Sequence, residues 1–151
     1  QVMGVYAKSL VEPLATVLCD LGAEHAIVVH GADGLDEFSL SGESFVSEVK
    51  NGAVASYTVT PSQVGLDNAP LSALIGGDAD ENAEILRAIF AGKAGAPSDA
   101  VALNAGAALY VAGEADSLAN GVSMASELLS SGAAEAKLEE LVLATNAETE
   151  S

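Results

Sequence analysis

One feature of the sequence constrains the fold of this chain most strongly. It is a run of four apolar residues, Ala26 to Val29, followed at once by a segment rich in glycine and carboxylates, His30 to Glu37. The run is short, nearly uninterrupted and rich in β-branched residues, which predicts a strand buried on both faces of a parallel sheet. In open α/β sheets, ligands bind beyond the carboxyl ends of such strands. We therefore expect a functional site in the following segment, where Gly31 and Gly34 allow the chain to turn sharply.

The carboxylates of this segment belong to Asp33, Asp36 and Glu37. Neighbouring ionised carboxylates repel each other, and a hard divalent cation with oxygen ligands, Mg²⁺ first, is the simplest partner that keeps them charged. A solvated turn is the alternative, and the spacing alone favours it because acidic residues with glycine are common in turns. His30 is expected to be packed or hydrogen-bonded rather than a general base, and His25 is expected on the surface.

A helix between two strands is predicted at the amino terminus. The run Gln1 to Tyr6 suits a strand, and apolar residues between Ser9 and Leu21 recur at helical spacing. Gly22 is placed to end that helix. With the run Ala26 to Val29, these elements form a βαβ unit, whose two strands should be parallel.

A hairpin is predicted beyond Glu37. Residues Ala53 to Thr60 alternate with period 2, and Asn51-Gly52 joins them to the run Phe45 to Lys50 as a two-residue hairpin turn. The predicted fold class is therefore α/β, with a mixed, largely parallel central sheet and flanking helices.

The second half of the sequence is typical of helices, with starts predicted at Asp78, at Ser98 or Asp99, at Asp116 or Ser117, and at Ala133 or Ala134. Acidic residues in the first turn, such as Glu81, complement a helix dipole, which favours a structural role over a second metal site. Asn104 lies in an alanine-rich helix with little polar face, which suggests that neighbours cover it. This amide should find a partner, since an unsatisfied buried amide costs about 1–3 kcal/mol. Leu138, Leu141 and Val142 are expected to dock the last helix.

At 151 residues, the chain is long enough for one domain, predicted over residues 1–144, with a polar and acidic tail over residues 145–151 that is expected to be disordered. No apolar run approaches the roughly 20 residues that span a bilayer, so we expect a cytoplasmic protein that does not bind membranes. Five Lys and Arg against 22 Asp and Glu give a formal net charge of −17, which argues against nucleic acid as a partner. Such a balance is also typical of proteins from a salt-rich cytoplasm, where salt screens the self-repulsion.

Several separate motifs follow one another along nearly the whole chain: Gly4-Val5-Tyr6, Glu12-Pro13-Leu14-Ala15, Val28 to Glu37, Gly76-Gly77-Asp78 with Glu81-Asn82-Ala83, Leu103-Asn104-Ala105, Ala107 to Gly113, Ser131 to Ala134 and Leu141-Val142. In these motifs and in their order, the chain resembles the carboxy-terminal part of the anthranilate phosphoribosyltransferase family. The resemblance implies the α/β fold shared by the carboxy-terminal domains of nucleoside phosphorylases and phosphoribosyltransferases of this type.

The resemblance also implies an activity. Enzymes of this family join anthranilate to C1 of phosphoribosyl pyrophosphate (PRPP), with release of pyrophosphate, as a step of tryptophan biosynthesis. An Asp-Glu pair in the family binds the Mg²⁺ that accompanies the pyrophosphate, and this pair matches Asp36 and Glu37. Asp33 is expected at most to shape the turn.

Other parts of the family's active site are missing from these 151 residues. The family's Gly-rich pyrophosphate loop, its Lys-His-Gly-Asn segment and its anthranilate-contacting arginine lie upstream of the matched stretch, and the sequence holds none of them. We therefore expect the chain alone to be inactive, with no catalytic residue of its own, and the full-length enzyme to be a homodimer. Two alternatives to this family remain. The chain could belong to another enzyme of the same fold, such as a pyrimidine nucleoside phosphorylase, or it could be a non-catalytic α/β module.

Overall fold

The structure of the chain is a computed structural model that describes residues 1–146. Its strands are β1 (Val2–Gly4), β2 (His25–Gly31), β3 (Ser44–Lys50) and β4 (Ala53–Val59). Its α-helices are α1 (Val11–Asp20), α2 (Ala79–Phe90), α3 (Ala96–Ala112), α4 (Leu118–Ser130) and α5 (Ala133–Asn146), and short 3-10 helices lie at Lys8–Leu10, Pro61–Val64 and Leu71–Leu74.

The four strands form one mixed sheet in the order β1-β2-β3-β4. β1 and β2 are parallel, as predicted for the βαβ unit, whereas β2 pairs antiparallel with β3 and β3 antiparallel with β4. The mixed sheet with flanking helices is confirmed, but its parallel share is smaller than predicted. The connection between β2 and β3 contains no helix, and a parallel neighbour would need a crossover connection, usually a helical one.

The hairpin between β3 and β4 follows the prediction. Asn51 and Gly52 both have positive φ angles, 54° and 73°, as a two-residue turn of the right twist requires.

β2 lies inside the fold and is buried on both faces, as its sequence predicted. Ala26 and Val28 belong to a core cluster with residues of α1, whereas Ile27 and Val29 belong to a second cluster with Leu103 of α3. All four residues of the run are at most 1% exposed. The alternation along the strand therefore places α1 on one face of the sheet and α3 with α4 on the other.

Of two predicted helix starts, one agrees with the structure and the other does not. α4 begins directly after Ser117, whose side chain accepts a hydrogen bond from the backbone N–H of Asn120, as an N-cap does. α3 begins at Ala96, earlier than predicted, with Pro97 in its first turn. Proline is tolerated there because the first N–H groups of a helix have no partner within it.

The last helix corrects two predictions. Leu141 and Val142 are 58% and 44% exposed, so they do not dock α5 onto the described part of the chain, whereas Leu138 is half-buried. Thr145 and Asn146, assigned to a disordered tail over residues 145–151, lie in α5, where their side chains donate to the carbonyl oxygens of Leu141 and Val142. Each bond is local and joins a side chain to the carbonyl four residues earlier in the same helix. Residues 147–151 lie outside the described residues.

Among residues 1–146, no helix combines the length and the apolar character required to cross a membrane.

Candidate functional site

The segment that connects β2 to β3, residues 32–43, is called the acidic loop here. Backbone hydrogen bonds close it at its base: the N–H of Gly31 donates to the carbonyl of Leu35 at 2.8 Å, and the N–H of Ala32 to that of Glu43 at 2.8 Å. Within the loop, Gly34 has a φ of 97°, which a residue with a side chain rarely adopts. The loop is thus a compact turn at the carboxyl end of β2.

Asp33 holds the inside of the acidic loop together. Its carboxylate accepts hydrogen bonds from the hydroxyls of Ser39 and Ser41, both at 2.6 Å, and from the backbone N–H of Leu35 at 3.2 Å. Partial burial acts to raise the pKa of Asp33, but these hydrogen bonds outweigh it and hold the pKa below its ordinary value. Asp33 therefore shapes the turn, which is the lesser role expected of it.

Helix α3 holds the far side of the acidic loop. The side-chain oxygen of Asn104 accepts a hydrogen bond from the backbone N–H of Phe38 at 3.0 Å, and its amide nitrogen donates to the carbonyl of Ala100 at 3.0 Å. The prediction that Asn104 finds a partner is confirmed. Phe38 itself is only 2% exposed, so both its backbone and its ring are fixed.

Two glycines let the backbone of the acidic pair approach the sheet closely. A Cβ atom on Gly4, at the end of β1, would overlap the carbonyl oxygen of Asp36. One on Gly31 would lie 3.2 Å from the carbonyl oxygen of Glu37. The peptide backbone of Asp36 and Glu37 therefore rests against the carboxyl ends of the two parallel strands, while both residues are exposed to solvent.

The donor set suits Mg²⁺ held in an open site. Within residues 1–146, no group of three or more His, Cys, Asp or Glu side chains is close enough together to hold a metal ion. Mg²⁺ typically uses one or two protein carboxylates and completes its octahedral shell with water and substrate phosphate oxygens. The exposed pair Asp36 and Glu37 fits that pattern, and it does not fit a closed structural metal site.

The two histidines occupy opposite ends of β2. His30 is buried, and its Nδ1 lies 2.8 Å from the carbonyl oxygen of Val5, so the expectation of a hydrogen-bonded histidine is confirmed. The expectation of an exposed His25 is wrong, because its Nε2 lies 2.8 Å from Oε1 of Glu48 with both side chains about 14% exposed or less.

Glu48 is the centre of a polar cluster at the amino end of β2. Its carboxylate also accepts hydrogen bonds from the hydroxyls of Tyr110 at 2.8 Å and Tyr57 at 2.9 Å. Partial burial acts to raise the pKa of Glu48, but the hydrogen bonds from Tyr110, His25 and Tyr57 hold it below its ordinary value. The cluster joins three strands to α3 at the end of β2 away from the acidic loop, which indicates a structural role.

The acidic residues at the start of α2 also have the structural role predicted for them. The N–H of Glu81 donates to Asp78 Oδ1 at 3.0 Å, and the N–H of Asp78 donates to Glu81 Oε2 at 3.0 Å. This reciprocal pair is a capping box, which satisfies free N–H groups at the helix start.

Sequence reasoning missed the partners that hold the acidic loop. Ser39 and Ser41 follow the acidic residues closely enough that a local turn could have been suspected, since serine hydroxyls often bind nearby acceptors in turns. The link from Asn104 to Phe38 joins residues 66 positions apart, and the helix pattern gave no indication of it.

Comparisons with known proteins show which family the chain resembles. The sequence model of the family described as "Glycosyl transferase family, a/b domain" matches residues 1–135. A curated anthranilate phosphoribosyltransferase of Azorhizobium caulinodans is 50% identical over 147 residues, which cover 97% of this chain and 43% of that protein.

Two solved structures extend the likeness to three dimensions. The crystal structure of the anthranilate phosphoribosyltransferase of Thermus thermophilus matches with a TM-score of 0.83 and 46% identity, over 91% of this chain and 40% of that one. The enzyme of Saccharomyces cerevisiae in complex with PRPP and Mg matches with a TM-score of 0.81 and 26% identity over the same shares. The resemblance inferred from the motifs is confirmed, and the chain spans about two fifths of the length of these relatives.

Proposed function

Since the chain belongs to the glycosyl transferase family with this a/b domain, we propose that the full-length protein is an anthranilate phosphoribosyltransferase. It transfers the phosphoribosyl group of PRPP to anthranilate and releases pyrophosphate. Asp36 and Glu37 hold the Mg²⁺ that accompanies the pyrophosphate. The observation that carries this proposal is the exposed carboxylate pair, whose backbone is fixed against the ends of β1 and β2.

The chemistry of the transfer explains why such a pair is needed. As the bond from C1 of the ribose to pyrophosphate breaks, negative charge grows on the leaving oxygens, and Mg²⁺ neutralises it when bound. Two neighbouring carboxylates offer hard oxygen ligands on one side of the ion and leave the other side open to phosphate oxygens. The exposure of Asp36 and Glu37 leaves that side free.

The 151-residue chain is expected to be inactive when produced alone. Two carboxylates cannot replace the backbone N–H groups that bind a pyrophosphate, least of all on a chain of net charge −17 that faces a polyanion. We place the full-length protein in the cytoplasm as a homodimer, with neither nucleic acid nor membrane as a partner.

The test is the Mg²⁺-dependent consumption of anthranilate by the full-length protein in the presence of PRPP. Asp36→Asn and Glu37→Gln should each lower kcat by about 100-fold, because each removes a charged ligand of the ion. The urea unfolding midpoint should stay within error of the parent, since both side chains are exposed.

Glu43→Gln is the matched control, because Glu43 is a carboxylate at the other end of the same loop. It should leave kcat unchanged. Full activity of Asp36→Asn and Glu37→Gln at saturating Mg²⁺ would remove the pair from the mechanism. Phosphorolysis of a pyrimidine nucleoside by the parent, without transfer to anthranilate, would instead identify a nucleoside phosphorylase.

A further inference from the structure

Asn104 is the one polar side chain of α3 that binds the backbone of the acidic loop in the described part of the chain. Its oxygen accepts from the N–H of Phe38 at 3.0 Å, and its nitrogen lies 3.5 Å from the carbonyl oxygen of Phe38. The same nitrogen donates to the carbonyl of Ala100, one turn earlier in the helix, at 3.0 Å. That second bond orients the amide, so its oxygen is held towards the loop.

The position of this contact along the loop is informative. The N–H of Phe38 and the carbonyl of Glu37 belong to one planar peptide unit. A hydrogen bond to the N–H therefore fixes the orientation of the peptide plane that begins at Glu37, one residue from Asp36. The ring of Phe38 is buried in the core cluster that includes Leu103, so the peptide that joins Glu37 to Phe38 cannot move independently of α3.

We propose that Asn104 is a positioning residue, which sets the geometry of Asp36 and Glu37 for Mg²⁺ by holding the backbone of Phe38. The inference rests on the proposed function. Mg²⁺ requires nearly ideal octahedral geometry, so a small displacement of two carboxylates costs binding more than it costs folding. Residues behind the ligands of a metal commonly contribute about 10- to 100-fold in affinity or activity.

Helix propensity makes the substitution of Asn104 by alanine a specific test of the loop contact. Alanine is the best helix former and asparagine is a poor one, so Asn104→Ala removes the hydrogen bonds to the loop while it favours α3 itself. Asn104→Asp keeps an oxygen that can accept from Phe38 but loses the amide donor that binds Ala100. Asn120→Ala is the matched control, since Asn120 is an exposed asparagine of α4 whose amide binds Asp116.

The experiment uses the full-length protein with Mn²⁺ as a paramagnetic substitute for Mg²⁺ and with PRPP present. Electron paramagnetic resonance gives the dissociation constant of Mn²⁺, and urea unfolding gives the stability of each variant. Asn104→Ala should raise the Mn²⁺ dissociation constant about 10-fold. Asn104→Asp should raise it less, and Asn120→Ala should leave it unchanged. Transfer assays should show a higher Mg²⁺ requirement with a smaller change in kcat at saturating Mg²⁺.

A double variant separates positioning from stability. In an Asp36→Asn background, Asn104→Ala should change Mn²⁺ binding by less than about twofold, because coupled residues are not additive. An unchanged Mn²⁺ dissociation constant in Asn104→Ala, or an equal effect with and without Asp36, would overturn the inference.

Two further outcomes distinguish a failure of this inference from a failure of the proposed function. If Asn104→Ala fails to fold, Asn104→Asp decides: a dissociation constant raised about threefold supports positioning, and the parent value overturns it. If the parent itself binds no Mn²⁺ through Asp36, the proposed function fails first, and the inference falls with it.

Discussion

At the scale of single residues, Asp33, the first carboxylate after β2, differs from the following two in what its oxygens bind. Asp33 uses its acceptor capacity on Ser39, Ser41 and the N–H of Leu35, whereas Asp36 and Glu37 are exposed. Because the folded-state pKa of Asp33 lies below its ordinary value, its carboxylate stabilises the folded chain. That contribution is complete above the ordinary pKa of about 3.9 and is lost as the pH falls through the lowered pKa.

Ser39→Ala tests this role of Asp33. The variant removes a charge-assisted hydrogen bond from a serine that is 1% exposed, so the free energy of unfolding at pH 7 should fall by about 1–2 kcal/mol. The pKa of Asp33 should rise towards its ordinary value, and the stability difference from the parent should shrink below about pH 4. Carboxyl-carbon NMR and urea unfolding at both pH values measure the two effects.

Ser123→Ala, on the exposed surface of α4, is the control and should match the parent in both measurements. An Asp33 titration that is the same in Ser39→Ala and in the parent would show that the hydrogen bond does not set the pKa.

At the scale of elements, α3 connects the site to the rest of the fold. Different residues of this helix contact different parts of the fold: Leu103 packs on the sheet, Asn104 binds the acidic loop, Gly106 lies against α4, and Tyr110 binds Glu48. Its expected cover by neighbours is only partial, since exposed alanines such as Ala108 line one side. A shift of α3 would therefore reach both the acidic loop and the Glu48 cluster.

The crossing of α3 and α4 depends on two glycines. A Cβ atom on Gly106 would lie 2.5 Å from the backbone nitrogen of Val122, and one on Gly121 would overlap the carbonyl oxygen of Gly106. By propensity alone, Gly106→Ala should stabilise a helix by about 1 kcal/mol. We expect the opposite sign, a loss of about 1–3 kcal/mol, because the obstacle is backbone and cannot rotate away.

Urea unfolding of Gly106→Ala against Gly42→Ala measures this effect. Gly42 is the control because its Cβ would meet nothing within 4 Å, so Gly42→Ala should be close to neutral. Greater stability in Gly106→Ala than in the parent would show that the helices separate at little cost.

At the scale of the whole molecule, the dominant property is the charge. A formal net charge of −17 on 151 residues means that the folded state confines mutually repelling carboxylates, most of them on the surface. Helix α5 illustrates the excess, since Glu135 and Glu139 are exposed and Lys137 pairs with Glu140. Salt screens such repulsion, with a Debye length of about 30 Å at 0.01 M and about 3 Å at 1 M.

The unfolding temperature should therefore rise with NaCl between about 0.01 and 1 M, steeply at first and then less, following the screening length. The double variant Glu135→Gln with Glu139→Gln should depend less on salt, because it starts with less repulsion to screen. Thermal unfolding followed by circular dichroism across the salt series measures both. A midpoint that does not vary with NaCl would show that the surface charge is spread too widely to matter, and would count against salt adaptation.

The sequence by itself determined the features that depend on neighbours in the chain. The apolar run before His30, the turn at Asn51-Gly52 and the helix start at Asp78 are all recognisable from residues that are neighbours in the chain. The acidic pair was also proposed from sequence, because a strand end followed by glycines and carboxylates is a local pattern and because the motifs resemble a family.

Only the tertiary structure decided which distant residues meet. The antiparallel partner of β2, the bond from Asn104 to Phe38, the approach of Gly4 to Asp36 and the pairing of His25 with Glu48 all join separate elements. Periodicity reports which face of an element is apolar, and it carries no information on the neighbour that covers that face or on the polar group that comes within hydrogen-bond distance. Those contacts form only when whole elements pack, so the residues that hold the site could not be read from the chain around it.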